Sequence, residues 1–479
     1  MVEKIPFQKS NSYHWFVVGT VCIGAFMAAL NASIINVAMP TLSSVFSVGM
    51  DMVEWVTIAY LLTLTSLLTL LGSLSDRLGR KFFYTLGFAI FGIGSALCGV
   101  SMTMAFLITA RVLQALGATM LQANSIAIIT SAVPTTSRGK AIGIQGSAQA
   151  IGLSIGPSVG GLLIANFGWR LIFYVNIPVA IVGTLLAGYI LPKDKPNSLS
   201  TRFDYLGAVL FTPPLILLVL IFKSGYKVGW TSPEIIMEFI GVIIFMFLFV
   251  RSEKKYKNPM INLDLLKIRV FTSGNITGLL SYALMFGTIF LMPFYLDWIL
   301  KLPALYIGLI LTVVSLAMFV VSPISGALAD HIGSRVLTSC GMAIATLGEI
   351  VLIALPQKPL IYIDILGLTL VGVGMGMFTP PNNSSVMGSI PPEHVGVAGG
   401  ILNMSRSLGM CMGVAIAGTI YNDDFQSFHL INHTLMQARI LSFHESFVGM
   451  AIIGIIATLI CFFFYNHSKT KKIFTGDYI

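Results

Sequence analysis

Apolar residues run along this chain in long unbroken stretches, and two-residue alternation of apolar and polar positions is absent. A bilayer hydrocarbon core about 30 Å thick needs roughly 20 such residues per helix. Fourteen stretches approach that measure, at 15–38, 53–73, 82–101, 104–126, 140–165, 169–191, 205–222, 235–250, 271–296, 304–328, 336–355, 360–381, 396–420 and 443–465, the eighth being short. Without alternation a β-barrel does not fit. The pattern predicts an all-α integral membrane protein of long helices and short connections.

Composition agrees. Of 479 residues, 56% are hydrophobic and 10% charged, with a mean hydropathy of +0.88, where soluble chains run about 45–50% and 25%. Soluble enzymes, nucleic-acid binders and disordered proteins are excluded. The net charge of +9 has a membrane explanation. With fourteen spans and the N-terminus inside, 20 Lys and Arg fall in cytoplasmic segments and six outside, leaving Arg111 and Arg406 within spans. That asymmetry obeys the positive-inside rule and puts both termini in the cytoplasm. The cluster Lys254, Lys255 and Lys257 suits anionic lipid headgroups. No cleavable signal peptide is evident. The five cysteines all fall in predicted helices without CxxC spacing, so neither a disulfide framework nor a metal site is expected.

An internal repeat organises the spans. The segment Gly72-Ser-Leu-Ser-Asp76-Arg77-Leu-Gly79-Arg80-Lys81 returns as Gly326-Ala-Leu-Ala-Asp330-His-Ile-Gly333-Ser-Arg335. Gly139, Ala141, Gly143, Ile144, Gly152, Gly156 and Gly161 are echoed by Gly396, Ala398, Gly400, Ile401, Gly409, Gly413 and Gly418. Each echo takes the same place and orientation in its half, which implies two parallel six-helix units, 1–191 and 271–479. The pair of helices within 192–270 is inserted between them. Parallel repeats of this kind make a transporter architecture, with substrate held near the midplane.

These residues resemble a known family. Gly72-x-x-x-Asp76-Arg77-x-Gly79-Arg80-Lys81 resembles the loop 2–3 signature of the major facilitator superfamily, and Arg111-x-x-Gln114-x-x-Gly117 its fourth-helix motif. Gly152-x-x-x-Gly156-Pro157-x-x-Gly160-Gly161 resembles the antiporter motif of the fifth helix. Trp169-Arg170-x-x-Phe173-x-x-Asn176-x-Pro178 and Asp204-Tyr205-x-Gly207 are similar to the fourteen-span drug:proton antiporters of the EmrB/QacA type. The resemblance implies multidrug-type efflux from the cytoplasm across the bacterial inner membrane, by proton antiport and alternating access. It implies no enzyme activity and no cofactor. The partners it names are a small-molecule substrate, protons, membrane lipids and, as a candidate, a periplasmic adaptor protein.

The motifs carry distinct physical tasks. The 72–81 loop must turn tightly, with Gly72 allowing close helix approach and Gly79 supplying positive φ. Asp76 can pair with an arginine or sit at a helix N-terminus; the resemblance implies the helix beginning at 396, which would make the motif a gate latch. Small residues in the fifth helix let backbones approach, and Pro157 bends it. A guanidinium within a span is costly unless it faces a cavity or a partner, so Arg111 and Arg406 are candidate coupling residues, a hydrogen-bond hub being the alternative. Candidate cavity residues are Asn31, Gln114, Gln122, Asn124, Gln145, Gln149, Asn275, Tyr282, Asn382, Asn383 and Asn403. Asn31 stands where the resembled antiporters carry an aspartate, and an amide cannot titrate. Glu349 is the remaining intramembrane acid, while Asp51, Glu54, Asp297 and Asp364 lie near the outer boundary. Two arginines without a central acid should favour anionic, zwitterionic or neutral substrates. A carrier for one metabolite or anion, exporting or importing, is the alternative function. The outer segment 421–442, with Asp423, Asp424, His429 and His433, is expected to be a solvated loop with some amphipathic helix.

Overall fold

The computed structural model describes residues 13–134, 137–192, 205–256, 263–354, 360–391, 395–430 and 434–464. The described residues form α1 (Tyr13–Phe46), α2 (Met50–Val53), α3 (Trp55–Leu78), α4 (Arg80–Val100), α5 (Met104–Ala132), α6 (Arg138–Phe167), α7 (Leu171–Tyr174) and α8 (Asn176–Ile190). There follow α9 (Tyr205–Val228), α10 (Pro233–Lys255), α11 (Arg269–Trp298), α12 (Ala304–Ile332), α13 (Ser334–Ile353), α14 (Ile361–Gly388), α15 (Val395–Leu430) and α16 (Leu435–Phe464). Among the described residues thirteen helices are long and apolar enough to cross a membrane, and α9 contributes the apolar stretch Val209–Gly225. Their outward side chains, such as Met237, Ile243 and Phe247 on α10, are exposed. In hydrocarbon such exposure costs nothing, because lipid tails are as apolar as the side chains.

The chain divides into two compact units: Met1–Ile216 with Met292–Ser315, and Leu217–Leu291 with Leu316–Ile479. In the first, α1 packs along α6, and α4 packs between α5 and α8. Backbones approach closely there because glycines line the seams. A methyl group at Gly152 would lie 2.6 Å from the Phe26 carbonyl oxygen, and one at Gly161 would lie 2.5 Å from that of Ala304. In the second, α13 packs along α14 and α16, while Gly409 and Gly413 of α15 lie directly on the α11 backbone at Leu279 and Ala283. The second glycine echo therefore has a structural counterpart within each unit.

Four expectations need correction. The segment 72–81 is not a ten-residue loop: α3 continues to Leu78 and α4 starts at Arg80, so Gly79 alone is the break. Charged residues end an apolar run without ending a helix, and Gly79 ends it by adopting φ +108°. Gly333 does the same between α12 and α13 with φ +86°. Gly72 is not a close-approach site, since a methyl there meets only Ala123 at an ordinary 3.7 Å. The outer segment 421–442 is likewise largely helical, α15 reaching Leu430 and α16 starting at Leu435; the His429 side chain and His433 lie outside the described residues. The eighth apolar run, short in the sequence, belongs to a full-length helix, since Pro233–Lys255 meets the span criterion.

The breaks are tied down alike. Lys81 Nζ donates 2.7 Å to the carbonyl of Leu191, just past α8, and Arg335 donates 2.5 Å to that of Phe462 in the last turn of α16. Cations suit such carbonyl-rich helix ends. Gly79→Ala forces a side chain into strained backbone and should cost about 1–3 kcal/mol. Gly72→Ala should be neutral. Thermal melting of the two variants in detergent checks the contrast, and equal melting temperatures would contradict it.

Candidate functional site

The first unit holds a closed polar hub. Arg111 of α5 is fully buried; its Nε donates 3.0 Å to the Val56 carbonyl and an Nη donates 2.7 Å to Gln114 Oε1. Its guanidinium lies 4.2 Å from the Tyr60 ring centroid. Gln114 Nε2 in turn donates to Asn31 Oδ1 at 3.1 Å and to Ser95 Oγ at 2.7 Å. Asn31, Ser95 and Gln114 are also fully buried. The hub joins α1, α3, α4 and α5, and the charge of Arg111 is dispersed over carbonyl, amide and ring. None of its residues faces open solvent in this structure. A guanidinium held by several acceptors is how a span tolerates such a group.

The second unit holds a more open cluster. Arg406 is half-buried; one Nη donates to Asn383 Oδ1 and the other lies 3.5 Å from Asn403 Oδ1. Its guanidinium sits 5.5 Å from the Tyr282 ring centroid. No carboxylate pairs with it among the described residues. Asn382 is buried and donates 3.1 Å to the Gly274 carbonyl, tying α14 to α11. Asn275 is spent on its own helix, donating 2.8 Å to Phe271. Gln145 and Gln149 lie half-exposed on α6.

The repeated motif is anchored locally. Asp76 accepts 2.7 Å from Arg80 Nε, an exposed i,i+4 pair that contributes little stability by itself. Arg80 also reaches the Ala127 carbonyl at 3.3 Å, and Ser75 hydrogen-bonds Asn124, so the motif is fastened to α5 twice. Arg77 is exposed, and nothing is described of the Asp330 side chain. In α6, Gly152, Gly156 and Gly160 contact α1, while Gly161 and the Pro157 carbonyl contact the start of α12 at Ala304 and Gly308.

Four acids are buried among the described residues, Glu54, Glu253, Glu349 and Asp364. Glu349 of α13 is fully buried with Oε1 2.5 Å from Thr288 Oγ1. Asp364, in the first turn of α14, is also fully buried, and among the described residues neither of its oxygens has a hydrogen-bond partner.

The model of the Major Facilitator Superfamily matches residues 21–226 and 198–414, which together cover most of the chain. The chain belongs to the Major Facilitator Superfamily. It is 35% identical over 464 residues to the riboflavin transporter RibZ of Clostridioides difficile (strain 630), covering 96% of this chain and 98% of that one. It is 33% identical over 400 residues to the multidrug resistance protein Stp of Mycobacterium tuberculosis (strain CDC 1551 / Oshkosh), covering 83% and 74%. The crystal structure of a bacterial homolog of the human lysosomal transporter Spinster, inward-facing and unoccupied, superposes with a TM-score of 0.69 at 15% identity, covering 95% and 97% of the two chains. The protein is thus an all-helical multi-pass transporter of this superfamily, not an enzyme.

For this superfamily member, sequence reading missed Tyr60, Ser95 and Thr288, the partners that make the charged residues tolerable. Gly94 was the available signal for Ser95: a methyl at Gly94 would sit 2.6 Å from the Gln114 backbone, so Ser95 necessarily lies beside that residue. Arg111→Lys replaces a fork by one ammonium, which cannot serve both Val56 and Gln114 in the same geometry. It should lower stability by about 2 kcal/mol and reduce transport. Gln122→Ala, at a half-buried side chain with no hydrogen bond among the described residues, should change neither. Detergent melting and vesicle transport of both variants test the difference.

Proposed function

We infer that this transporter exports small amphiphilic molecules by alternating access in exchange for protons, and that it prefers uncharged or anionic substrates to lipophilic cations. The observation that carries the substrate preference is Arg406, a half-buried guanidinium held among the described residues by the oxygens of Asn383 and Asn403 and by the Tyr282 ring. An uncompensated positive charge within a span attracts anionic or electron-rich groups. Its stacking partner adds affinity for planar rings. The hub around Asn31 supports the same preference, because a carboxylate that would draw cations is absent from it.

The remaining assignments follow from the motifs. Gly72, Asp76, Arg77, Gly79, Arg80 and Lys81, with Asp330 and Arg335 in the second copy, serve gating. Arg111 and Arg406 serve coupling and substrate attraction, with Gln145, Gln149, Asn275, Asn382 and Asn403 contributing polar contacts. The glycine-rich helix around Pro157 is the moving surface. The chain is read as a fourteen-span antiporter of the EmrB/QacA type, six helices in 1–191, an inserted pair in 192–270 and six in 271–479. It sits in the inner membrane with both termini cytoplasmic. A second reading, a carrier for one metabolite, is favoured by the amide at Asn31 and by the relative named as a riboflavin transporter.

Inverted vesicles loaded by a pH gradient distinguish these readings. Riboflavin, an organic anion and ethidium are added in turn, and proton movement is followed by a fluorescent pH dye. Uncharged or anionic compounds should collapse the gradient more than ethidium does, and the reverse order would sink the proposed preference. A response to riboflavin alone would select the second reading. Arg406→Gln, losing a charged hydrogen bond of about 1.5–3 kcal/mol, should raise the half-saturating concentration about ten- to a hundredfold.

A further inference from the structure

We propose that Glu349, paired with Thr288, is the proton-binding group of this transporter, taking the part that an acid at Asn31 would otherwise play. The proposal rests on the proton-exchange reading above and identifies where the proton is carried.

Three observations converge on Glu349. First, its register in the fold is that of the hub. The offset that pairs Gly79 with Gly333 also pairs Gly87 with Gly341 and Gly94 with Gly348. The contacts confirm it: Gly87 abuts the Gly117 carbonyl as Gly341 abuts that of Gly374, and Gly94 abuts the Gln114 backbone as Gly348 abuts that of Val371. Ser95, the hub residue next to Gly94, therefore has Glu349 as its counterpart, while Arg111 and Gln114 have the buried apolar residues Leu368 and Val371. A carboxyl in an otherwise apolar layer has no packing rationale.

Second, hydrogen-bond counting makes this carboxyl neutral in the state seen. Among the described residues Oε2 has no hydrogen-bond partner, and Oε1 has only Thr288. An ionised carboxylate so enclosed would lose most of its solvation for a single bond. The neutral acid fits: its proton goes to Thr288 Oγ1, and the Thr288 proton goes to the Leu284 carbonyl at 2.9 Å. Third, no charged group is tied to it. Tyr282 and Arg269 of α11, Tyr362 and Asp364 of α14, His444, Glu445 and Cys461 of α16, and Arg335 and Cys340 of its own helix are the titratable groups on its own and neighbouring helices, and among the described residues Thr288 is the one side chain hydrogen-bonded to Glu349. A group with those surroundings holds a proton while sealed and releases it only when the fold opens it to water, which is what a coupling site must do.

The test uses full-length protein in proteoliposomes, with the compound that gives the largest wild-type response. Glu349→Gln keeps a donor for Thr288 but cannot titrate. It should retain substrate counterflow, which needs no proton gradient, and lose both substrate-induced proton release and gradient-driven accumulation. Glu349→Asp should recover part of the coupling. Persistent proton release by Glu349→Gln overturns the assignment while leaving proton exchange itself intact. So does loss of coupling in Asp364→Asn with Glu349→Gln unaffected, which would move the site to α14. Loss of counterflow in both Glu349 variants would make the residue structural and also overturn the proposal. Absence of proton release by wild type with every compound would instead fail the exchange reading on which it stands.

Discussion

Polar groups inside hydrocarbon must find their partners within the protein, and that constraint governs this structure more than any apolar contact. Burial of leucines and phenylalanines cannot by itself hold helices together when lipid is equally apolar. What fixes the helices is close backbone approach at glycines and a small number of polar ties between helices. Gln114 reaches both α1 and α4, Arg111 reaches α3, and Asn382 bonds α14 to α11. Each tie joins different helices, so removing one frees a polar atom in a medium that cannot solvate it.

The positions of the helices could be read from the chain because a bilayer imposes one length on every span. The apolar runs located nearly every helix, and the repeat located Gly79 and Gly333 before their backbone angles were known. Helix ends were less legible. A hydropathy run stops where charge begins, at Asp76 or Asp424, but the backbone keeps its helical hydrogen bonds through charged residues and stops only at Gly79 or near 431. The same reasoning separates the two arginines. Both were visible as charges within apolar runs, yet only tertiary structure could show that Arg111 is sealed and Arg406 half-open, because their partners come from other helices.

Glycine spacing carried more information than its abundance suggested. Gly152, Gly156 and Gly160 recur at four-residue spacing and all contact α1, whereas Gly139, Gly143 and Gly146 on the same helix meet nothing within 4 Å. One sequence pattern thus covers two physical situations along α6, a packed C-terminal part and an open N-terminal part. Sequence alone treats them alike, since what distinguishes them is the presence of a neighbour.

The two units share contacts glycine for glycine but not chemistry. Where α4 and α5 of the first unit enclose a guanidinium and an amide, α13 and α14 of the second enclose Leu368, Val371 and the Glu349 carboxyl, with Asp364 buried one turn away on α14. Duplication preserves the backbone seams because each needs glycine on both sides, and it leaves the side chains in the adjoining layer free to diverge. A guanidinium does not lose its proton in proteins, so the first layer cannot exchange one and is suited to holding geometry. A carboxyl exchanges a proton when its surroundings change, so the second layer can respond to opening. The α4–α5 layer thus carries a fixed charge and the α13–α14 layer titratable ones, and an amide at Asn31 is then no defect: with Arg111 already anchored by neutral groups, a carboxylate there would pair with the guanidinium and be held ionised.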